Sequence, residues 1–273
     1  MKISVAITNH NQDHLLNKTI YMLNEQTEIP EKIYVLTDGR PFNNIYTNVE
    51  NIDNRKNPGR CQNRNSIIPV FLNNDTDALI FIDGDSWPNG KKFISEYKKL
   101  FKKYDLIFGT RRHTPVDNLT LPASDLLTGN MDELWQGKSL NYDDLRITSG
   151  AIKAWNKAKT FDEKIDLMLT GMIGWSCNFG ITKAGLKRHI EFMKSMYNIE
   201  NALFDSKAFA KGWGYEDVAM GLDSMYAGLT VGISEDVEIM HQSHERTDGL
   251  FDHIKGRHLI MDRYRKLIGY KNN

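Results

Sequence analysis

The sequence predicts an α/β fold, a mostly parallel sheet flanked by helices, and three observations carry that reading. Apolar runs of strand length alternate with segments of helical period through the first hundred residues. Strands alternating with helices in this way build a parallel sheet covered on both faces. Polar clusters close three of the runs: Asn9-His10-Asn11, Asp38-Gly39 and Asp83-Gly84-Asp85. In open α/β sheets the carboxyl ends of the strands are where ligands bind.

The elements follow in order. Residues 3–8 form the first strand, and Leu15, Leu16, Ile20 and Leu23 sit at helical spacing within a helix from Asp13 to Gln26. Ile33 to Thr37 is the second strand. Asn57-Pro58-Gly59 is a turn that opens a helix reaching Ile68. Ala78 to Ile82 is the third strand, Asn89 to Tyr104 a helix, and Asp105 to Gly109 the fourth strand. Residues 113–170 show no clear period and read as a long loop region or a small helical insertion. Order returns at Trp175 to Thr182, with helices at Lys183 to Tyr197 and Glu216 to Ala227. Short strands are expected near Thr230 and Val237, and a last helix from Phe251 to Leu267.

The chain has 273 residues, 40% of them hydrophobic, enough for one large domain or two small ones. Lysine plus arginine and aspartate plus glutamate each total 35, so the chain has no global attraction to nucleic acid or anionic membrane. Cys61 and Cys177 fit no metal spacing and read as reduced thiols. No apolar stretch approaches the roughly 20 residues of a membrane span, and the N-terminus is not signal-like. The expectation is a soluble, cytoplasmic protein.

Asp83-Gly84-Asp85 has the character of a metal site. The two carboxylates lie one residue apart at the end of a buried strand, and the glycine lets them converge on one ion or its waters. Such hard oxygen donors suit Mg²⁺ or Mn²⁺, ions that neutralise a diphosphate. The plain alternative is a strand followed by a polar turn.

Taken together, these segments resemble the GT-A glycosyltransferases, the family-two-like group. Val5 to Asn11 resembles their first strand and loop, and Leu36-Thr37-Asp38-Gly39 the second strand end. Asn57-Pro58-Gly59 through Arg64-Asn65 is similar to their Asn-x-Gly…Ala-Arg-Asn segment, and Asp83-Gly84-Asp85 matches Asp-x-Asp. Gly212 to Asp217 resembles the Gly-Trp-Gly-x-Glu-Asp motif of galactosyltransferase-like and chondroitin-polymerase-like members. Trp175 to Ile181 resembles the segment before it, and Met240 to His244 falls where those enzymes keep a metal-binding histidine. The likeness covers most of the chain outside about 113–170. The chain departs from the pattern in three places: Thr37 replaces the first acid of the second-strand pair, Asn63 replaces the alanine before Arg64, and the first loop lacks a proline.

The resemblance implies a GT-A, Rossmann-like domain. Residues 1–112 would be its nucleotide-sugar-binding half and 113–273 its acceptor-binding and catalytic half. It implies a metal-dependent, inverting transfer from a nucleoside-diphosphate sugar, expected to be UDP-linked, to an acceptor hydroxyl. Asp85 would be the direct metal ligand, Asp83 would contact ribose or the metal's waters, and His241, with His244 as fallback, would complete the set. An imidazole beside a carboxylate favours Mn²⁺ over Mg²⁺.

Asp38 would accept from a base N–H, with Thr8 and Asn11 beside it in the donor site. Arg60 and Arg64, four residues apart on one helix face, suit phosphate. Asp217 would be the general base and Glu216 would bind sugar hydroxyls; acids at a helix start are also ordinary caps. Trp213 and Trp175 would line the acceptor; the plain alternative for Trp213 is a core tryptophan. The final helix is locally basic, a solvated face or a surface for a polyanionic acceptor or membrane. A nucleic-acid acceptor is possible but not indicated by net charge. Two other functions compete: a sugar-nucleotide-forming nucleotidyltransferase, against which the absence of a glycine-rich loop after the first strand argues, and a non-catalytic carbohydrate- or nucleotide-binding domain.

Overall fold

The computed structural model describes residues 1–11, 13–114, 142–170, 173–210, 214–242 and 250–271. The strands are β1 (Ile3–Asn9), β2 (Lys32–Thr37), β3 (Val49–Asp53), β4 (Ala78–Asp83), β5 (Ser86–Pro88), β6 (Leu106–Thr114), β7 (Asn178–Thr182) and β8 (Val231–Gln242). The helices are α1 (Asp13–Asn24), α2 (Arg60–Asn65), α3 (Ile68–Asn73), α4 (Phe93–Leu100), α5 (Tyr142–Lys157), α6 (Phe161–Leu169), α7 (Lys183–Tyr197), α8 (Glu216–Tyr226) and α9 (Leu250–Lys271).

The strands form one 8-stranded sheet in the order β3-β2-β1-β4-β7-β6-β8-β5. The block β3-β2-β1-β4 is parallel throughout, and β6 is parallel to β8. β7 runs antiparallel to both β4 and β6, and β5 antiparallel to β8. The register places Thr8 opposite Asp83 and Asn9 opposite Thr37, so the carboxyl ends of β1, β2 and β4 form one edge. Residue 112 lies inside β6, and strands from both halves of the chain share the sheet.

Successive side chains of a strand point to opposite faces, and the core divides accordingly. Val5, Ile7, Val35 and Ile80 pack with Leu16, Ile20 and Leu23 of α1 and Phe93 and Ile94 of α4. Ala6, Leu36, Phe81 and Phe179 pack on the other face with Phe71 of α3, Leu186 of α7, Leu222 of α8 and Ile260 of α9.

Differences from the sequence reading have local causes. The helix expected from Gly59 to Ile68 is two helices, with Pro69 in the first turn of the second. The helix expected over Asn89 to Tyr104 is confined to Phe93–Leu100. Within 142–170 the chain is helical, and α6 opens with a capping box: Thr160 Oγ1 accepts from Glu163 N at 3.2 Å, and the Glu163 carboxylate accepts from Thr160 N at 2.9 Å. The two short strands expected near Thr230 and Val237 are one strand, whose pairing with β6 shifts register between Gly109 and Thr110.

The shift is stitched by Asn178, which donates from Nδ2 to Thr110 O (3.0 Å) and Val237 O (2.7 Å) and accepts from Tyr97 Oη at 2.8 Å. A Cβ on Gly109 would lie 2.3 Å from Val237 O and 2.1 Å from Asn178 Nδ2. Gly109→Ala should therefore cost about 1–3 kcal/mol in urea denaturation. A loss under about 0.5 kcal/mol, the range of neutral surface changes, would mean that the irregularity yields freely.

Candidate active site

The edge formed by β1, β2 and β4 is closed by side-chain bonds across strands. Thr8 Oγ1 donates to Asp83 Oδ1 at 2.8 Å. Asp38, just beyond β2, accepts on Oδ2 from Gly59 N at 3.0 Å, and its Oδ1 lies 2.9 Å from His10 Nδ1. Asn11 takes a left-handed backbone (φ 61°), and its Oδ1 accepts from Arg40 N at 2.7 Å. The Asp38 carboxylate is thus already engaged on both oxygens, by the loop after β1 and by the residue before α2.

Arg60 and Arg64 of α2 meet Glu216 at the start of α8. Arg60 Nη1 donates to Glu216 Oε1 at 3.1 Å, and Arg64 Nη1 lies 3.8 Å from the same oxygen. Arg64 Nη2 donates to Asp83 Oδ1 at 2.8 Å. Arg64 and Glu216 are 2% and 3% exposed, so this is a buried bridge from the end of β4 to the start of α8. Burial opposes the Arg64 charge, and the carboxylates of Asp83 and Glu216 more than restore it, leaving the guanidinium held above its ordinary range. Arg60 is the more accessible of the two, with its side chain about a third exposed. The sequence assigned the arginines to phosphate and Glu216 to sugar hydroxyls. Structurally they are one another's partners.

Asp217 is the next residue of α8. Its Oδ1 accepts from Val218 N at 2.8 Å and its Oδ2 from Ser176 N at 3.3 Å. Though its surface is partly accessible, its carboxyl lies deep among protein atoms beside the Glu216 charge. Burial first, and Glu216 second, push its pKa up to about 6 against the pull of the two N–H groups. Such a carboxyl is poised to accept a proton near neutral pH.

Ser176 belongs to the segment before β7, where Trp175 lies under the Arg111 guanidinium, 4.2 Å from Cζ to the ring centroid. Arg111 Nη1 also reaches to 4.0 Å from Cys177 Sγ. Both cysteines are free and buried; burial pushes Cys61 up to about 12 and Cys177 to about 11, so neither supplies a thiolate. Trp213, with Gly212, lies outside the described residues, and so does His244.

Asp85 and His241 come together across the sheet margin. β5 starts one residue after Asp85 and pairs Ser86 with His241. His241 Nε2 lies 3.6 Å from Asp85 Oδ1, with Asp85 5% and His241 8% exposed. Ser86 Oγ donates to Asp85 Oδ1 at 3.3 Å, and Gln242 N to Asp85 O at 2.9 Å. His241 lies within β8. Asp83 meanwhile faces Thr8 and Arg64. Among the described residues no group of three or more His, Cys, Asp or Glu side chains gathers as a metal cluster. The Asp85–His241 pair offers one oxygen and one nitrogen donor, a combination that fits Mn²⁺ completed by ligands from outside the protein.

No family model matches the chain. No curated protein matches it either. Solved structures do. S. aureus TarS residues 1–349 in complex with UDP-GlcNAc superposes with a TM-score of 0.54 at 12% identity, over 91% of this chain and 60% of that one. The mannosyltransferase PcManGT from Pyrobaculum calidifontis, in complex with GDP-Man and Mn²⁺, superposes with a TM-score of 0.57 at 10% identity, over 98% and 64%. The chain has the GT-A fold. It spans less than two thirds of these structures' chains, and 37% of the longer TarS structure. Thr8, Asp38, Asp83, Asp85, Glu216 and Asp217 lie at the strand ends and helix start described above. The Arg60–Glu216–Arg64 bridge had no sequence signature beyond the i, i+4 spacing of the arginines, because Glu216 belongs to a distant helix.

Proposed function

We propose that the chain is a metal-dependent, inverting glycosyltransferase that moves a sugar from a nucleoside-diphosphate sugar, UDP-linked, to an acceptor hydroxyl. The observation that carries the reading is the Asp85–His241 pair, 3.6 Å apart, at the margin of the same sheet that presents Asp83 and Asp38. The related folds give general support: one was captured with UDP-GlcNAc and the other with GDP-Man and Mn²⁺.

In this mechanism Asp85 and His241 would hold Mn²⁺, which would supply positive charge to neutralise the diphosphate. Arg60 adds positive charge on the donor side, and Arg64 fixes Asp83. Residues 1–112 supply most of the donor side, with Thr8, Asn11 and Asp38 at the nucleotide; residues 113–273 add His241 to it and supply the acceptor side, with Trp175 and Trp213. The acceptor oxygen attacks the anomeric carbon from the face opposite the diphosphate. The bond from that carbon to the diphosphate breaks, its electron pair leaves on the diphosphate oxygen, and the hydroxyl proton passes to Asp217. Glu216, buried between two arginines, orients them and the adjacent Asp217.

Titration of UDP- and GDP-sugars with and without Mn²⁺ tests this. Donor binding should be Mn²⁺-dependent and favour one UDP-sugar. In Asp85→Ala it should weaken by about 10–100-fold or more with Mn²⁺ present. Equal affinity in wild type and Asp85→Ala, or no nucleotide-sugar binding in any condition, would remove the proposal.

A further inference from the structure

We propose that the outer face of α9 is a docking surface for an anionic lipid membrane. The chain as a whole is electrically balanced, 35 against 35, but α9 is not. Along its outer side Lys255, Arg257, Arg265 and Lys266 are exposed, and Asp262 is the one acidic residue between positions 255 and 270. Asp262 pairs with Arg265 at 2.8 Å, both side chains more than 60% exposed, a contact that water and salt screen.

Apolar side chains stand on the same face. Met261 and Ile268 are 38% and 40% exposed, two helical turns apart, while Ile260, Arg263 and Leu267 face the core. Arg257 and Arg265 fall on the turns between and beside them. Of the large hydrophobic side chains exposed among the described residues, Met1, Ile29 and Ile45 are scattered, whereas Met261, Ile268 and Tyr270 share this one helix. Basic residues that interleave with exposed apolar ones on one helix face are the pattern of a helix lying in a membrane interface, cations at the headgroups and apolar tips below them. A soluble polyanion would be met by the cations alone and leave Met261 and Ile268 in water. No helix of the described residues is long and apolar enough to cross a membrane, so the contact is peripheral.

The surface is rigidly tied to the candidate active site. Arg263 anchors α9 to Asp223 of α8, the helix that begins with Glu216 and Asp217. At Gly256, a Cβ would fall 2.7 Å from the Tyr215 ring and 3.1 Å from Gly214 O, so α9 passes directly against the turn that leads into Glu216. Docking through α9 holds that turn near the membrane. On the proposed transferase reading, this selects an acceptor borne on a lipid rather than a freely diffusing one.

The test is sedimentation of the full chain with vesicles of phosphatidylcholine alone and of phosphatidylcholine mixed with phosphatidylglycerol. The protein should sediment with the mixed vesicles, not with the neutral ones, and release as salt rises. Met261→Glu/Ile268→Glu and Arg257→Glu/Arg265→Glu should each lower vesicle affinity by roughly tenfold or more. Donor binding and the thermal midpoint should stay at wild-type values in both, since these side chains point to solvent. Equal sedimentation of wild type and variants would overturn the proposal. So would failure to bind any vesicle, or retention on heparin that depends on the arginines but not on Met261 and Ile268. Because vesicle binding is read without donor or turnover, it can fail while the transferase reading stands, and the reverse.

Discussion

Asp217→Asn should reduce sugar transfer by about 10²–10⁴-fold, the range a positioned general base contributes, with donor affinity unchanged. Asparagine keeps the shape and can still accept from Val218 N or Ser176 N, but it cannot take the acceptor's proton. A fall in kcat without a rise in donor Kd separates a group that acts in the reaction from one that merely binds substrate. A variant retaining more than about a tenth of wild-type turnover would place the base elsewhere, outside the range expected of this role.

The pH profile gives a second readout of the same residue. Burial and the Glu216 charge raise the Asp217 pKa to about 6, and only the deprotonated form serves as base. Transfer should therefore be low at acid pH, rise through about pH 6 and level off above it; the rise should be absent from the residual activity of Asp217→Asn. The stability consequence has the opposite sign. The folded state holds a proton that the unfolded chain, at an ordinary aspartate pKa, has already lost, so this group's contribution falls as pH rises from about 4 to about 6 and is then flat. The site keeps a carboxylate that is costly to ionise, as function in a buried base requires.

Much of this arrangement was legible in the sequence for reasons of spacing. β1, β2 and β4 are buried strands of the parallel block, and their apolar runs stand out; the polar residues that close them lie at one edge of the sheet because the register aligns Thr8 with Asp83. β3 was missed because it is a polar edge strand, exposed at Glu50, Asn51 and Asp53 apart from its anchor Val49. β5 was missed because three residues carry no period. β8 read as two strands because Ser234-Glu235-Asp236 interrupts its apolar pattern where the register shifts against β6. The start of α6 was missed although Thr160-Phe161-Asp162-Glu163 has the capping-box pattern, because the stretch around it shows no clear period. Asp85 and His241 were each named from motif, but their meeting depends on β5 pairing with β8, a long-range fact. His10 against Asp38 and Glu216 between Arg60 and Arg64 were not readable at all, since an ion pair between distant segments leaves no local pattern.

Arg263→Met should lower the free energy of unfolding by about 3–5 kcal/mol, the cost of leaving buried charges without their partner and a large share of what holds a typical domain together. Arg263 is 6% exposed and bonds Asp223 with Nε at 2.9 Å and Nη2 at 2.6 Å, while Nη1 reaches Asp205 at 2.8 Å. Its guanidinium stacks 4.0 Å over the Tyr197 ring, whose hydroxyl also donates to Asp223 at 3.1 Å. The arginine thus ties α9 to α7, α8 and the segment at Asp205. Asp223 is 1% exposed, and burial already raises its pKa, the Arg263 charge pulling it partly back. Without the arginine that pull is gone, and the folded state binds its proton more tightly than the unfolded chain does. Stability of the variant should therefore recover as pH falls, so the deficit in urea denaturation should be larger at about pH 7 than at about pH 5. Arg263→Met/Asp223→Leu should regain much of the loss at neutral pH, because removing both charges leaves neither stranded. A single variant as stable as wild type at neutral pH, or a double variant no better than the single, would show that packing of the arginine stem rather than charge pairing anchors α9.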